Sequence, residues 1–165
     1  MEYRTCNKCI MDTSDPDITF NEDGICNHCV EFENNTAKLW HPNEYGLKIL
    51  NDIFEKVRNE GKEKEYDCII GLSGGVDSAY LALKIKEFGL RPLVVHVDAG
   101  WNSEIAVSNI ESIVKYCNYD LFTYVIDWEE MKDLQLAYFR SGIANQDVPQ
   151  DHAFFAILYH YAVSK

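Results

Sequence analysis

The sequence has few basic residues: 15 lysines and arginines stand against 27 aspartates and glutamates, which gives a formal net charge of -12. Proteins that bind nucleic acids usually carry a basic surface that displaces counterions from phosphates, so this balance argues against such a role. Long apolar runs are also missing. The most apolar run, Ala153 to Val163, contains His160 and is shorter than the ~20 residues that span a bilayer.

Met1 to Arg4 also lack the apolar core of a signal peptide, so we expect no secretory signal. We therefore expect a cytoplasmic protein, in which thiols stay reduced and paired cysteines indicate metal ligands or redox groups rather than disulfides. The sequence shows neither internal repeats nor low-complexity tracts. Hydrophobic residues make up 47% and charged residues 25%, which is the composition of a globular domain.

The chain divides into three predicted regions. Residues 1–35 are rich in cysteine, aspartate and asparagine and show little helical or strand periodicity. Residues 36–65 form a predicted helical connector, because apolar side chains recur there at roughly helical spacing up to Gly61. In residues 66–165, short apolar runs alternate with helical patterns, which predicts strands joined by right-handed crossovers into a parallel sheet with flanking helices.

Within the third region we predict three strands and four helices. The predicted strands are Asp67–Leu72, Pro92–Asp98 and Leu121–Ile126. The predicted helices are Asp77–Phe88, Asn102–Cys117, Asp127–Arg140 and Gln150–Ser164. The last helix is very apolar and needs cover on more than one side. Because no strand follows it, we expect the chain to be the N-terminal part of a longer enzyme.

The segment Ser73–Ser78, with sequence SGGVDS, joins the first predicted strand to the first helix of this region. Two glycines let the backbone turn tightly, their N–H groups and the helix start attract an anion, and the serines add hydroxyl donors. We assign Mg²⁺ binding to Asp77, because a carboxylate repels phosphate but holds a cation that bridges phosphates. The alternative interpretation is an ordinary strand-to-helix turn capped by a serine or aspartate.

The SGGVDS loop differs from the Walker loop, since it has neither a lysine nor a Gly-Lys-Ser/Thr ending, and it differs from the G-x-G-x-x-G dinucleotide loop. It resembles the SGGxDS loop of the N-type ATP pyrophosphatases, also called the PP-loop superfamily. The resemblance implies an α/β fold of the adenine nucleotide alpha hydrolase-like type, here incomplete at its C-terminal side. It also implies that the loop holds the leaving pyrophosphate of ATP while a substrate oxygen attacks the α-phosphorus.

Asp98 ends the second predicted strand of the sheet. Ligands of open parallel sheets lie beyond the carboxyl ends of strands, so Asp98 is expected to face the same crevice as the loop. The resemblance implies that Asp98 lies near the adenosine and that Asp98 and Asp77 have catalytic roles. The other interpretation of Asp98 is a turn carboxylate. His96 is interpreted as a core histidine. The predicted ATP- and pyrophosphate-binding residues are Leu72, Ser73, Gly74, Gly75, Val76, Asp77, Ser78, Val97 and Asp98.

Four cysteines form two CxxC pairs, Cys6 with Cys9 and Cys26 with Cys29. Two such pairs separated by a loop of this length are typical of a tetrahedral, structural Zn²⁺ site. Metal binding would supply folding free energy to the polar segment between the pairs. An iron–sulfur cluster is the second interpretation, and His28 is an alternative ligand. A redox pair is disfavoured because neither pair is predicted at a helix start beside a strand.

Three segments together resemble the N-acetyl sugar amidotransferase family of lipopolysaccharide and surface-glycan biosynthesis: residues 3–13, 24–29 and 142–152. The resemblance implies that ATP adenylates the acetamido oxygen of a nucleotide-activated sugar and that ammonia displaces AMP to give an acetamidino group. It also implies a glutaminase partner and a cyclase-like subunit that deliver the ammonia. Polar residues of the third segment are candidates for the substrate rim, although a loop before a helix explains them equally well: Asn145, Gln146 and Asp151.

Two other functions stay open at this point. One is a tRNA-thiolating ATP pyrophosphatase, since some of these enzymes carry CxxC pairs, but the net charge of -12 and the lack of a cysteine near the loop argue against it. The other is a truncated, non-catalytic nucleotide-binding module, which the missing C-terminal half motivates.

Overall fold

The computed structural model describes residues 2–165, so that Met1 of the predicted cysteine-rich region lies outside the described residues. The chain forms two compact units, Met1–Asp52 and Ile53–Lys165. The division falls inside the long helix α3 (Glu44–Glu60), which belongs to the predicted connector and is followed by Gly61 as predicted. The predicted domain boundaries at residues 35 and 65 stay a prediction.

The first unit begins with two short hairpins, each closed by an isolated antiparallel bridge. One bridge joins Thr5 to Asp12, and the other joins Phe20 to Cys26. The first hairpin holds Cys6 and Cys9 between its bridged residues, and the second hairpin ends at Cys26. A helical stretch follows, and its parts are α1 (Asn27–Glu31), a π-helical turn (Phe32–Thr36) and α2 (Ala37–Leu39).

The start of α1 differs from the expectation of little regular structure in residues 1–35. The Asn27 N–H donates to the Thr19 carbonyl at 2.9 Å, and the Asn27 Oδ1 accepts from the Thr19 N–H at 2.9 Å. These bonds join the helix to the preceding hairpin. The helix therefore depends on contacts between segments, which hydrophobic periodicity does not display.

The second unit contains a three-stranded parallel sheet in the order β1-β2-β3. Its strands are β1 (Cys68–Gly71), β2 (Pro92–Asp98) and β3 (Asp120–Val125). Its remaining helices are α4 (Val76–Glu87), α5 (Glu104–Cys117), α6 (Trp128–Ser141) and α7 (Val148–Ser164). All seven predicted elements are confirmed, with ends that shift by at most two residues. Helix α7 begins before Gln150 because Pro149 is accommodated in its first turn.

The central strand β2 is covered on both faces, which explains its unbroken run of buried residues from Pro92 to Val97. On one face, Val94 belongs to a buried cluster with strand, α4 and α5 side chains: Ile70, Leu72, Ala82, Ile85 and Ile110. On the other face, Val95 belongs to a cluster that α7 covers with four side chains: Phe154, Ile157, Leu158 and Tyr161. The two faces together place the carboxyl ends of β1 and β2 against α5 and α7.

An ion pair links the amino ends of β1 and β2. The Asp67 carboxylate accepts from the Arg91 backbone N–H at 2.8 Å and from its guanidinium at 2.6 Å, and the Asp67 side chain is only 2% exposed. The same guanidinium donates to the Gly61 carbonyl at 2.9 Å. Hydrogen bonding by Arg91 holds the pKa of Asp67 below its usual range. This network fixes the end of the sheet opposite the SGGVDS loop.

Helix α7 is strongly apolar, yet it leaves Phe155 and Tyr159 exposed. Within residues 2–165, no helix combines the length and the apolar character needed to cross a lipid bilayer.

Candidate functional site

The loop between β1 and α4 is shaped by its neighbours in the sheet. The Leu72 N–H donates to the Val95 carbonyl at 2.9 Å, which extends the β1–β2 pairing to the last residue before the loop. Gly74 is buried and has φ +81°, a left-handed conformation that favours glycine. A Cβ on Gly74 would lie 2.3 Å from the carbonyl oxygen of Ala106 in α5. The backbone of α5 therefore packs directly against the loop.

The serine side chains close the loop on itself. The Ser78 hydroxyl donates to the Gly75 carbonyl at 3.2 Å and accepts from the Ser73 N–H at 3.2 Å. The two hydroxyls lie 3.1 Å apart. Gly75 is the N-cap residue of α4 and has no side chain to occupy the helix N-terminus. The first N–H groups of α4 and two hydroxyls thus meet at one point, which is a favourable arrangement for an anion.

The two predicted catalytic carboxylates lie on different elements. Asp77 is exposed in the first turn of α4. Asp98 ends β2, and its Oδ1 accepts from the Gly100 N–H at 2.8 Å. The structure therefore gives Asp98 the role of a turn carboxylate, one of its two sequence interpretations. Its place near adenosine and the catalytic roles of both residues stay predictions.

A cavity of about 410 Å³ opens beside the loop at the carboxyl ends of β1 and β2. Three residues of the predicted ATP set line it, namely Leu72, Ser73 and Val97. Apolar side chains of α7 form much of the opposite wall, including Phe154 and Phe155. A largely apolar slot that ends at a phosphate loop matches the shape and chemistry of a nucleoside joined to phosphates.

Two polar residues that line this cavity, His96 and Asn102, were not predicted from the sequence as part of a site. His96 is 7% exposed, and its Nδ1 donates to the Leu72 carbonyl at 2.9 Å, which confirms a buried and satisfied histidine. Because a carbonyl oxygen only accepts, the ring proton lies on Nδ1 and Nε2 is an acceptor. The Asn102 amide nitrogen lies 3.0 Å from Nε2 and donates to it. A histidine inside an apolar strand was the available signal for this pair.

The predicted substrate rim is divided in the structure. Asp151, in the first turn of α7, lines the cavity. Asn145 and Gln146 lie in the turn before α7, where the Asn145 Oδ1 accepts from the Asp147 N–H at 3.2 Å and the Gln146 amide donates to the Ile143 carbonyl. The Gln146 Oε1 is buried without a hydrogen-bond partner among residues 2–165. Asp151 is thus brought to the cavity, and the other two serve the turn.

The four cysteines of the first unit converge. Their Sγ atoms all lie within 4.8 Å of one another. The Sγ atoms of Cys6 and Cys29 are 4.0 Å apart, and those of Cys9 and Cys26 are 3.7 Å apart. A tetrahedral Zn²⁺ with Zn–S bonds of about 2.3 Å has sulfur–sulfur edges of about 3.8 Å. The arrangement therefore fits one zinc ion bound by four thiolates.

Backbone donors surround these sulfurs. The Cys6 Sγ accepts from the N–H groups of Lys8 at 3.3 Å and Cys26 at 3.2 Å. Desolvation acts to raise the pKa of Cys6, but these donors outweigh it and lower the pKa to about 6. Hydrogen bonding to Cys9, together with desolvation, raises the pKa of Cys29 to about 12. Four ionised thiols at these distances repel one another, and a divalent cation offsets that repulsion.

The positions of the four sulfurs bear on two alternatives for the cysteine segment, namely His28 as a metal ligand and a redox CxxC pair. His28 lies outside the sulfur cluster, since its Nε2 is 2.7 Å from Asp15 Oδ2. One premise of the sequence analysis is wrong: the second CxxC pair does begin a helix, because Cys26 is the N-cap residue of α1. The convergence of all four sulfurs, rather than the helix position, now argues against an isolated redox pair.

Comparisons with known proteins give no match to any protein-family model or curated protein. Among solved structures, NMN synthetase from Francisella tularensis is 22% identical, with a TM-score of 0.52 over 76% of this chain and 51% of that chain. NH3-dependent NAD synthetase from Campylobacter jejuni, in complex with nitrate, is 17% identical, with a TM-score of 0.48 over 72% and 52%. NAD+ synthetase from Burkholderia pseudomallei is 16% identical, with a TM-score of 0.39 over 66% and 56%.

The chain spans about half the length of the solved structures it matches. The likeness to the Francisella protein confirms the predicted fold class. The chain has a parallel α/β fold, which it shares with NMN synthetase.

Proposed function

We propose that the chain is the ATP-binding part of an amidotransferase that activates its substrate by adenylation and releases pyrophosphate. The observation that best supports the proposal is the SGGVDS loop, which lies between strand β1 and the N-terminus of α4 in an α/β fold shared with NMN synthetase. Its glycines and serines meet the α4 N-terminus where an anion gains hydrogen bonds and a favourable helix dipole. The leaving pyrophosphate of ATP is the anion that we place there.

In this proposal the other parts of ATP take the remaining features of the site. The cavity lined by Leu72 and Val97 receives the adenosine, because its walls are mostly apolar and it ends at Ser73. Asp77 holds a Mg²⁺ ion that bridges the phosphates, since its exposed carboxylate stands in the first turn of α4. Asp98 supports the turn at the adenosine side through its bond to Gly100.

The acceptor in this proposal is the acetamido group of a nucleotide-activated N-acetyl sugar. The support is the resemblance of three segments to N-acetyl sugar amidotransferases, two of which carry the cysteines and one of which leads into α7. Adenylation of the acetamido oxygen makes AMP the leaving group, and ammonia then gives an acetamidino sugar. Asp151 lies at the cavity and is the candidate for contact with this substrate.

The proposal extends to the partners and the location of the whole enzyme. A glutaminase subunit and a cyclase-like subunit supply ammonia in the cytoplasm, where nucleotide sugars for surface glycans are modified. The cysteine segment binds one Zn²⁺ ion through Cys6, Cys9, Cys26 and Cys29, with a structural role because four protein ligands leave no open position.

Calorimetric titration with ATP and Mg²⁺ tests the nucleotide site. We expect binding by the unaltered chain and weaker, less Mg²⁺-dependent binding by Asp77→Asn. Asp133→Asn is the matched control, since Asp133 is an exposed aspartate on α6, and its binding should equal that of the unaltered chain. No binding by the unaltered chain, or equal effects of both substitutions, would contradict the ATP site.

A second assay tests the acceptor. Pyrophosphate release is measured with ammonia in the presence of nucleotide-activated N-acetylhexosamines or, in a separate arm, of bulk tRNA. Stimulation by the acetamido sugars and not by tRNA supports the proposal. Stimulation of pyrophosphate release by tRNA alone would contradict the sugar acceptor and support the tRNA-thiolating alternative.

A further inference from the structure

Two carbonyl groups at the base of the phosphate loop are bound by side chains that do not belong to the loop. The Leu72 carbonyl accepts from His96 Nδ1 at 2.9 Å, and the Gly74 carbonyl accepts from the Asn109 amide at 3.0 Å. Their residues stand on either side of Ser73. His96 belongs to the central strand β2, and Asn109 belongs to α5.

An anion-binding loop requires its N–H groups to face the ligand and its carbonyl oxygens to face away. Carbonyl oxygens carry partial negative charge, so one turned toward a phosphate would oppose binding. The peptide unit that contains the Gly74 carbonyl also contains the Gly75 N–H. A donor that holds this carbonyl against α5 therefore directs the Gly75 N–H to the opposite side, where it donates to the Ser73 hydroxyl at 3.4 Å.

Asn109 has no requirement of its own for this bond. It is an exposed residue on α5, where water would satisfy its amide equally well. The approach is made possible by Gly74, whose missing side chain lets the Ala106 backbone of α5 pack against the loop. Helix α5 in turn is anchored at its start by the Ser103 hydroxyl, which accepts from the Ala106 N–H at 3.2 Å.

His96 serves the other carbonyl from inside the sheet. Both ring nitrogens are engaged, Nδ1 with Leu72 and Nε2 with the Asn102 amide, so the ring is held in one orientation and one tautomer. A valine or leucine would fill the same strand position but would leave the buried Leu72 carbonyl without this donor.

We infer that His96 and Asn109 are positioning residues that keep the loop in its anion-binding conformation by holding the Leu72 and Gly74 carbonyls away from the ligand. This inference rests on the proposed role of the loop as a pyrophosphate site. Neither residue is placed against the pyrophosphate. Both act through peptide groups whose N–H groups, those of Ser73 and Gly75, donate to the two serine hydroxyls of the loop.

The test combines binding, stability and loop mobility in the full chain. Asn109→Ala raises helix propensity, so its thermal midpoint should stay within about 2 °C of the unaltered protein. We expect its affinity for inorganic pyrophosphate with Mg²⁺ to fall about 3- to 10-fold, the effect of one lost neutral hydrogen bond. Glu111→Ala, an exposed substitution on the same helix, is the control and should bind as the unaltered chain does.

His96 is tested by a pair of variants that differ in the donor. His96→Asn keeps an amide N–H near the position of Nδ1 and should bind pyrophosphate within about twofold of the unaltered chain, because the Leu72 carbonyl keeps its partner. His96→Leu removes the donor and should lose about 3- to 10-fold in affinity. Equal affinities for the two variants would overturn the role of His96.

Backbone order parameters from NMR relaxation test the inference without a binding measurement. In Asn109→Ala the order parameters of Gly74 and Gly75 should fall from about 0.85 toward 0.6, with α4 and α5 unchanged. If the unaltered chain binds no pyrophosphate, the proposed function fails, and the order parameters still decide whether Asn109 holds the loop. Unchanged order parameters of Gly74 and Gly75 in Asn109→Ala would refute the inference, and so would an unchanged affinity if the unaltered chain binds pyrophosphate.

Discussion

The two glycines of the phosphate loop should respond in opposite ways to one added methyl group. Gly74 has φ +81°, and its Cβ would lie 2.3 Å from the Ala106 carbonyl oxygen. Gly75 has φ -79° and ψ 167°, a conformation open to any residue. Among the described residues, its Cβ would meet only the Ser73 hydroxyl at 3.5 Å, an ordinary contact. The fold therefore requires glycine at the first position and not at the second.

The expected changes in stability follow from these geometries. For Gly74→Ala, the left-handed backbone costs about 1 to 2 kcal/mol and the displacement of α5 about 1 to 3 kcal/mol, together about 2 to 5 kcal/mol. For Gly75→Ala, reduced freedom of the unfolded chain stabilises by about 0.4 to 1 kcal/mol. The poorer N-cap costs a similar amount, so the net change should lie within about 0.5 kcal/mol of zero.

Gly75→Ala should have a large effect on ligand binding although its effect on stability is small. A methyl group there points into space that the protein leaves open, beside the N–H groups that a phosphate approaches. We expect Gly75→Ala to weaken the binding of pyrophosphate with Mg²⁺ at least about tenfold, which corresponds to about 1.4 kcal/mol. A stable protein with an impaired site is the signature of a residue that serves the ligand.

The assay pairs urea unfolding with calorimetric titration for each variant. Gly89→Ala is the control for backbone strain, since Gly89 follows α4 with φ +68° and no described atom lies within 4 Å of its Cβ. It should lose about 1 to 2 kcal/mol of stability and no affinity. A Gly75→Ala protein that is stable and binds pyrophosphate normally would refute the assignment of the loop to that anion.

Three further predictions concern the rest of the chain. Asp67→Asn should lose about 1.5 to 3 kcal/mol at pH 7, because Arg91 loses a charged acceptor. Measured by urea unfolding, that loss should shrink toward about pH 2. The pKa of Asp67 is lowered in the folded protein, so the stabilisation by its carboxylate disappears as the pH falls through that pKa. Equal losses of stability at both pH values would contradict the ion pair. Cys26→Ser should reduce the zinc content measured by elemental analysis, whereas iron in the unaltered chain would replace the zinc assignment. Ser103→Ala should destabilise α5 by about 1 kcal/mol in thermal unfolding, and an unchanged midpoint would contradict its capping role.

The elements of the sheet unit were predictable because their signals are local. The buried strand Pro92–Asp98 is an apolar run covered on both faces, and the SGGVDS loop combines turn, cap and anion-binding residues in six positions. Some helix ends differ from the prediction by one or two residues, as at α7, where Pro149 precedes the predicted start at Gln150 but lies in the first turn.

The support of the loop was not predictable for a physical reason. The bond from Asn109 to Gly74 joins residues 35 positions apart, and an exposed asparagine on a helix gives no periodic signal. The bond from His96 to Leu72 similarly depends on which strands are neighbours. The start of α1 at Cys26 depends on contacts with the preceding hairpin, so the cysteine spacing predicted the cluster but not the helix beside it.

The close packing of Gly74 against α5 limits whether the SGGVDS sequence can be transferred to another protein. Asn109 follows Gly74 by 35 residues, and Ala106 lies one turn earlier on the same helix α5. We expect the loop to reach its final conformation only once α5 packs against it, because that contact closes a long stretch of chain. Transplanting SGGVDS into another strand–helix junction would carry the donors without the helix that orients them. The smallest transferable unit is therefore the segment from β1 through α5, which contains the β1–α4–β2 crossover and the following helix.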